Sequence, residues 1–435
     1  MPIWSNSLWR VGLNRPVKRL FAVMLCLLAL LPSEAQLLWS LPPSERLVPD
    51  DSCRLCFPGG TQRFYGMFRS WDTLLQEGIG NVNILHIGGS HVQAGTFSHQ
   101  MRCRLYDMAP GLEGRRGLIF PFTAAKTNNP YNYRIVCSGN WNCCKNTQRE
   151  PAYPMGLSGM VVVPQSAAAR LEVHLRDNVS GAFDFNRVRL FGYSDSLRVE
   201  PLLRIADTLY RGVYDSLSRS YLFQLERYSD SVTLLFRPTD SVWEPFYLRG
   251  ILLDNDLPGF SYHAVGVNGA SLPSYLQCPM FENDLAFVRP DLCIFGIGIN
   301  DASGDKFDTV LFRQRYERLM EEILNVSPQC RFLFITNNDS YRKTGRRRYA
   351  VNANGQLAQE VFYRLAEKYG GAVFDQFALM GGLGSMKKWE SAGLAQSDKV
   401  HFTAKGYRYL GDMLYNALMY SYMDYLKMEG SADGK

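Results

Sequence analysis

Apolar and polar positions change their rhythm twice along the chain. Near the start, Ile84, Leu85 and Ile87 run into Gly88-Gly89, the mark of a buried strand closed by a tight turn. Residues 64–76 before it and 91–106 after it carry helical patterns, and the glycine-rich stretch 111–127 reads as loop. From about residue 153 to 254 the rhythm becomes two-residue. In LEVHLRD, Leu171, Val173 and Leu175 alternate with Glu172, His174 and Arg176, and NRVRLFGY, RSYLFQLERY, SVTLLFRP and FYLRGILLD follow. Short alternating strands broken by Ser, Asp, Pro and Gly predict a β-sandwich. From Phe260 the apolar runs YHAVGVNGAS, DLCIFGIGIND, RFLFITNND and GAVFD alternate with helix-like segments at 307–325 and 356–369. That alternation predicts a parallel, doubly wound α/β sheet. A last helix, 407–426, aligns Leu410, Leu414, Leu418 and Tyr422 on one face.

The ILHIGG run ends as the later strands do, in glycine followed by a polar residue. It is assigned to the same sheet, which makes the β-rich stretch an insertion between the first and second strands. The expected organisation is a signal peptide at 1–35, the first part of an α/β domain at 36–150, an inserted β-sandwich at 151–256, and the second part of the α/β domain at 257–430. A chain of 435 residues with 46% apolar content is ample for cores of this size.

The first 35 residues carry Arg10, Arg15, Lys18 and Arg19 ahead of a dozen apolar residues at 20–31, then Ser33-Glu34-Ala35. This is the layout of a secretory signal, too short for a comfortable membrane span. Cys26 sits in the apolar run after Leu25, a poor fit to lipoprotein cleavage. The expectation is a mature protein without a membrane span, secreted, or periplasmic in a bacterium with an outer membrane. Removing the segment's four basic residues and one acidic residue lowers the net charge from +6 to +3, which implies no charged partner. Arg346, Arg347 and Arg348, beside Arg342 and Lys343, form the one short basic run, read as a solvated loop in preference to an anion site. The chain has no nucleic-acid footprint.

Of ten cysteines, nine lie beyond the signal. Cys53-x-x-Cys56 lacks a second metal-binding half, so a disulfide is the preferred reading over a zinc half-site. Cys293 and Cys330 read as reduced core residues. His86, His91, His99, His174 and His263 share no ligand spacing, so no metal and no cofactor are expected. Trp141, Trp243, Tyr131 and Tyr133 are open to two readings, packing or stacking on sugar rings.

The ends of the apolar runs hold a set of residues suited to acyl transfer, which needs a nucleophile, a base with a carboxylate to orient it, and donors for an oxyanion. Ser90 follows the first run, as a nucleophile or as a helix N-cap. Gly269 ends the second, where a bare N–H can approach a substrate oxygen; Gly266 is the alternative. Asn300 ends the third with a side-chain amide. Asp398 precedes His401 by three residues, close enough to orient the imidazole.

Together, GGSH at 88–91, NGAS at 268–271, GIND at 298–301 and DKVH at 398–401 resemble, in order, four conserved blocks of the SGNH (GDSL-type) hydrolase superfamily. The resemblance covers about 80–120 and 258–430. It implies a flavodoxin-like sheet, a triad of Ser90, His401 and Asp398, and an oxyanion site from Gly269 and Asn300. The phrases LRGILLDNDLPGFSYHAVGVNGAS and GRRGLIFPFTAAKTNNP are similar to exported peptidoglycan O-acetylesterases and related carbohydrate esterases, in which the inserted sandwich resembles a carbohydrate-binding module. By that resemblance the expected activity is removal of O-acetyl groups from peptidoglycan or another polysaccharide, with an O-acetylated glycan as partner. Block I usually reads Gly-Asp-Ser; here Gly89 replaces the aspartate. A catalytically weak or inactive glycan-binding protein on the same scaffold is therefore the alternative, followed by a lipase or thioesterase.

Overall fold

A six-stranded, wholly parallel sheet organises the molecule. The computed structural model describes residues 46–109, 111–176, 183–346 and 348–432; the expected signal peptide at 1–35 lies outside them. The strands are β1 (Asn81–Gly88), β2 (Glu113–Arg115), β3 (Gly259–Gly266), β4 (Leu292–Gly296), β5 (Arg331–Ile335) and β6 (Ala372–Phe374), in spatial order β2-β3-β1-β4-β5-β6. β1 is central: Gly88 pairs with Gly266 on one side and Gly296 on the other. Leaving aside the short edge strand β2, this is the flavodoxin-like order, whose switch point lies at the carboxyl end of the first strand.

Both faces of the sheet are buried, so its strands read as near-continuous apolar runs. Ile84, Phe260, Tyr262, Ile294 and Leu333 face a layer containing helices α1 (Thr96–Tyr106) and α4 (Ala404–Ala432). Leu85, Ile87, Cys293, Phe295 and Phe334 face helices α2 (Thr309–Val326) and α3 (Asn354–Tyr369). In α4 the expected stripe of Leu410, Leu414, Leu418 and Tyr422 is buried. No described helix is long and apolar enough to cross a membrane.

Two antiparallel sheets form the β-rich part. One joins Thr208–Arg211, Val199–Ile205, Ser231–Pro238, Arg170–Leu175 and Tyr133–Ser138; the other is built on Val213–Asp215, Ser220–Ser229, Phe185–Tyr193, Tyr247–Asp254, Met160–Pro164 and Trp141–Lys145. Phe236 of the first sheet packs on Trp141 of the second at 5.7 Å between ring centres. The β-rich part thus begins earlier than residue 151, because Tyr133, Ile135 and Cys137 already alternate inward against Leu175, Val173 and Leu171. Residues 111–127 are not all loop either. They contain β2 and the strand Gly117–Ile119, which pairs with Tyr247–Asp254.

The sandwich is fastened to the α/β part by a buried ion pair. Arg249 Nη2 lies 2.8 Å from Asp284 Oδ1, both side chains essentially inaccessible. Asp284 also accepts from the Leu157 N–H, and Arg249 donates to the Ser218 and Arg219 carbonyls. Removing one partner of such a pair leaves a buried, uncompensated charge.

The disulfide expected at Cys53-x-x-Cys56, with its connectivity open, is not formed: all nine cysteines of the described residues are free thiols. Cys56 is drawn out by paired main-chain bonds to Val373, while the Cys53 thiol turns back to the Pro49 carbonyl. The aromatic residues offered for sugar stacking divide. Trp141 and Tyr133 are core, with Tyr133 Oη donating to the Phe120 carbonyl. Trp243 is half-buried against the sandwich core, and Tyr131 is exposed with its ring edge on His99.

Three of the six histidines, His86, His99 and His263, are buried, and His91 is half-buried with its Nε2 inaccessible. Burial pushes His86, His91 and His263 down to about 3, and burial with the Arg102 and Arg116 charges takes His99 lower still. In the unfolded chain each titrates near 6.5. Between that pH and about 3 the unfolded state therefore binds more protons, and stability falls as pH falls, by about 1.4 kcal/mol per pH unit for each such histidine. Asp301, pushed up to about 6 by burial, acts in the opposite sense. Urea midpoints measured from pH 7 to pH 4 are expected to drop steeply below 6.5; a flat profile would contradict the burial of these rings.

Candidate active site

Three neighbouring strands of the central sheet end in turns that meet. β1 ends in Gly88-Gly89, and Ser90 begins a single helical turn, Ser90–Gln93. Gly89 is the cap residue, and its carbonyl accepts from the N–H groups of Val92 and Gln93. Ser90 is therefore the first helical residue, not the N-cap. Its N–H is among those a helix start leaves unpaired. The expected 91–106 helix is broken after this turn at Gly95, whose φ of +76° ends it before α1.

β3 ends in Val267-Asn268-Gly269-Ala270. The Ala270 N–H bonds the Val267 carbonyl at 2.9 Å and Gly269 has φ +82°, the geometry that a type II turn reserves for glycine. Gly269 is exposed, and a Cβ there would meet only Thr147 Cγ2, at 3.9 Å. Gly266, the alternative, is buried: a Cβ on it would overlap the Gln93 nitrogen and stand 2.8 Å from the Gly89 carbonyl oxygen. It is a packing glycine, and Gly269 is the one open to a ligand.

After β4, Asn300 Nδ2 donates to the Ala270 carbonyl at 2.8 Å, tying the third turn to the second. The same nitrogen would stand 3.3 Å from a Cβ at Gly89, so it lies beside the first turn too. Asp301 accepts from the N–H of Leu272, where the helix Leu272–Leu276 starts.

From the far end of the chain, His401 Nε2 reaches Ser90 Oγ at 2.8 Å across 311 residues. His401 Nδ1 lies 2.6 Å from Asp398 Oδ2. The other oxygen of Asp398 accepts from the N–H groups of Val400 and His401, at 3.0 and 2.9 Å. Burial pushes the Asp398 carboxyl up, but the N–H and ring of His401 and the Val400 N–H outweigh it and hold it below its usual range. An ionised carboxylate fixed in this way keeps the proton of the imidazole on Nδ1 and leaves Nε2 free to accept from Ser90. Lys399 closes the loop with φ +58°. Asn338, after β5, donates to the Val400 carbonyl and holds the loop from below. All five residues singled out in the sequence are thus in one constellation.

Two contributors were not found by pattern. Buried Gln93 accepts from the Asn268 N–H at 2.6 Å and donates to Thr127 Oγ1 and to both oxygens of Asn128. It fixes the Gly269 turn and ties it to the 127–128 segment. His91 stands behind His401, its ring centre 5.3 Å from that of His401 and its Nδ1 2.7 Å from Tyr407 Oη. Held neutral by burial first and by the neighbouring His401 second, it adds no competing charge. Among the described residues no cluster of His, Cys, Asp and Glu could hold a metal ion.

Residues 238–409 match the GDSL-like Lipase/Acylhydrolase family. Among solved structures, the chain is similar to a peptidoglycan O-acetylesterase, at 23% identity and a TM-score of 0.68, over 85% of this chain and 99% of that one. Weaker matches include an acetyl xylan esterase (18% identity, TM-score 0.29, over 37% and 80%) and a family two carbohydrate esterase from Cellvibrio japonicus (10%, 0.27, over 68% and 99%). No curated protein sequence matches. Sequence and fold agree on a resemblance to the SGNH (GDSL-type) hydrolases.

Gln93→Leu should separate support from chemistry. It strands the Asn268 N–H and takes the Gln93 donor from the Asn128 carbonyl, while Asn128 Oδ1 keeps Asn268 Nδ2 and Thr127 Oγ1, at a cost of about 1–3 kcal/mol for each group that finds no water. A slackened Gly269 turn should also lower kcat on an acetyl ester by roughly 10- to 100-fold, with little change in KM. A variant less stable in urea but with unaltered kcat would show that Gln93 serves the fold alone.

Proposed function

On that SGNH fold, we propose that this chain is an exported serine esterase that removes O-acetyl groups from peptidoglycan or another polysaccharide. The observation that carries the reading is the unbroken chain of hydrogen bonds from Ser90 through His401 to Asp398, set beside Gly269 and Asn300. His401 Nε2 takes the proton of Ser90 as Oγ attacks the acetyl carbonyl carbon. The oxyanion is held by the N–H groups of Ser90 and Gly269 and by the free N–H of the Asn300 amide. His401 then gives its proton to the departing sugar oxygen as the acyl C–O bond breaks. Water, activated by the same imidazole, attacks the acetyl-serine; acetate leaves and Ser90 regains its proton. Every step uses groups of this chain, and Asp398 stabilises the imidazolium formed in each half.

The similar fold of a peptidoglycan O-acetylesterase supports a glycan ester as substrate. The placement outside the cytoplasm rests on residues 1–35.

Acetate release by residues 36–435 from O-acetylated peptidoglycan, O-acetylated xylan and a short acetyl ester tests the proposal. Ser90→Ala should lower kcat by roughly 10⁴-fold or more. Its urea midpoint should stay within about 0.5 kcal/mol of the parent, because Ser90 caps nothing. Intact folding with no acetate from any of the three substrates would leave a glycan-binding role in its place. A rate that rises with acyl chain length would point to a lipase or thioesterase.

A further inference from the structure

The segments on either side of Arg347, which lies outside the described residues, form an antiparallel hairpin where a solvated loop is expected, Tyr341–Gly345 paired with Arg348–Val351. Its base is fixed to both sides of the active site. The Tyr341 N–H donates to the carbonyl of Lys399, inside the Asp398–His401 loop. On the other side, Asn352 Nδ2 and Asn354 Nδ2 each donate to the Ala302 carbonyl at 2.9 Å, and Asn354 also to that of Gly304. These carbonyls belong to the turn that follows Asn300. The hairpin therefore rises from between the turn carrying Asn300 and the loop carrying His401.

What it presents is positive charge with aromatic surface. Arg346 and Arg348 are exposed on the hairpin, and Lys387 and Lys388 on the short helix Met386–Ser391 beside it. Lys387 and Lys399 stand over the Tyr341 ring, and Lys399 also over that of Tyr349, which is 46% exposed. The nearby carboxylates are already engaged, Asp339 by the Met386 N–H. Asp305 pairs with Arg342, Glu390 with Lys399, and Asp398 with His401. None of Arg346, Arg348, Lys387 and Lys388 forms an ion pair with an acidic residue among the described residues. Like charges gathered at one rim repel one another, and a polyanion laid across them relieves that repulsion.

We propose that this hairpin is a subsite for carboxylates, so that the substrate is an acidic glycan whose carboxyl groups lie close to the acetylated sugar. The inference rests on the esterase reading and narrows its substrate class. The carboxylates belong either to peptides attached to the glycan or to uronic acids within it. The rim charges steer the strand and hold it, while Ser90 and His401 act on the ester alone. Such charges chiefly affect association and its salt dependence.

The test compares the full mature chain with Arg346→Glu/Arg348→Glu and with a control carrying the same charge change on the sandwich, Arg134→Glu/Arg176→Glu. Acetate release is followed from O-acetylated peptidoglycan, acetylated pectin oligomers and neutral O-acetylated xylo-oligosaccharides. The ratio of kcat/KM on an acidic glycan to that on the neutral one should fall at least tenfold in the hairpin variant, through KM, and stay put in the control. Loss confined to peptidoglycan identifies peptide carboxylates, and loss confined to pectin identifies uronic acids. An unchanged ratio, or equal loss in the control, overturns the proposal. If the parent releases acetate from none of these, the esterase reading fails separately. Co-sedimentation with peptidoglycan at low salt and binding to pectin then decide the subsite: salt-sensitive binding lost only in the hairpin variant sustains it, and equal binding by all three proteins overturns it.

Discussion

A row of three glycines governs what the rest of the molecule can do. Gly266, Gly88 and Gly296 stand side by side on adjacent parallel strands at the carboxyl edge of the sheet. A methyl group on Gly88 would overlap Val92 and stand 2.9 Å from the Gly296 carbonyl oxygen; on Gly266 it would overlap the Gln93 nitrogen; on Gly296 it would stand 2.8 Å from His86 Nε2. With no side chain in the row, the turn bearing Ser90 sits directly on the ends of the strands. Protein interiors transmit such contacts because they are close-packed. The height of the serine above the sheet is thus set by the Gly266 backbone against that of Gly89, Val92 and Gln93, with the Val92 side chain packed on Gly88.

That arrangement explains how so large an insertion is carried. β1 lies between β3 and β4, which both come after the β-rich segment, so the serine strand cannot complete its pairing until the insertion has been made and the chain has returned. The sandwich is consequently fused to the sheet. Tyr247–Asp254 leads into β3 within a few residues, Gly117–Ile119 pairs back onto it, and His263 of β3 accepts from the Leu118 N–H. Hydrophobic residues of the sandwich and of one sheet face form one continuous core. The Arg249–Asp284 pair adds geometry to this contact, since a guanidinium and a carboxylate must meet in a fixed fork. Movement between the two parts would have to break that core.

Much of this was legible in the sequence where burial imposes a period. The strands of the parallel sheet, buried on two faces, appear as apolar runs, and the one-sided strands of the sandwich appear as alternation. Ser90, Asn300 and the Asp398–His401 spacing were legible because strand ends in such sheets gather chemistry. What escaped depends on contacts between distant segments. β2 and Gly117–Ile119 are three residues each, too short for any period, and exist because later strands pair with them. Gln93 is one polar residue in a helical turn; its weight comes from Asn268, 175 residues away. The hairpin at 341–351 has almost no apolar pattern and is held by its base. Tyr133–Ser138 alternates, but it sits apart from the longer β-rich stretch, and its place in the sandwich depends on pairing with Arg170–Leu175.

The departure at Gly89 looks different once the three turns are seen together. A side chain at this position would start 3.3 Å from Asn300 Nδ2, 3.5 Å from the Ala270 carbonyl oxygen and 3.8 Å from that of Val267. A carboxylate would face two carbonyls, which repel it, and one amide, which attracts it. In this chain the amide instead bonds Ala270 directly. The link between the strand ends is therefore made by Asn300 and not by residue 89. One N–H of the amide is spent on that link and the other remains available, which is the division of labour that an oxyanion donor requires: a bond that fixes its direction and a proton left to give. On the proposed mechanism, Gly89 removes a buttress from a turn that Asn300, Gln93 and the glycine row already hold.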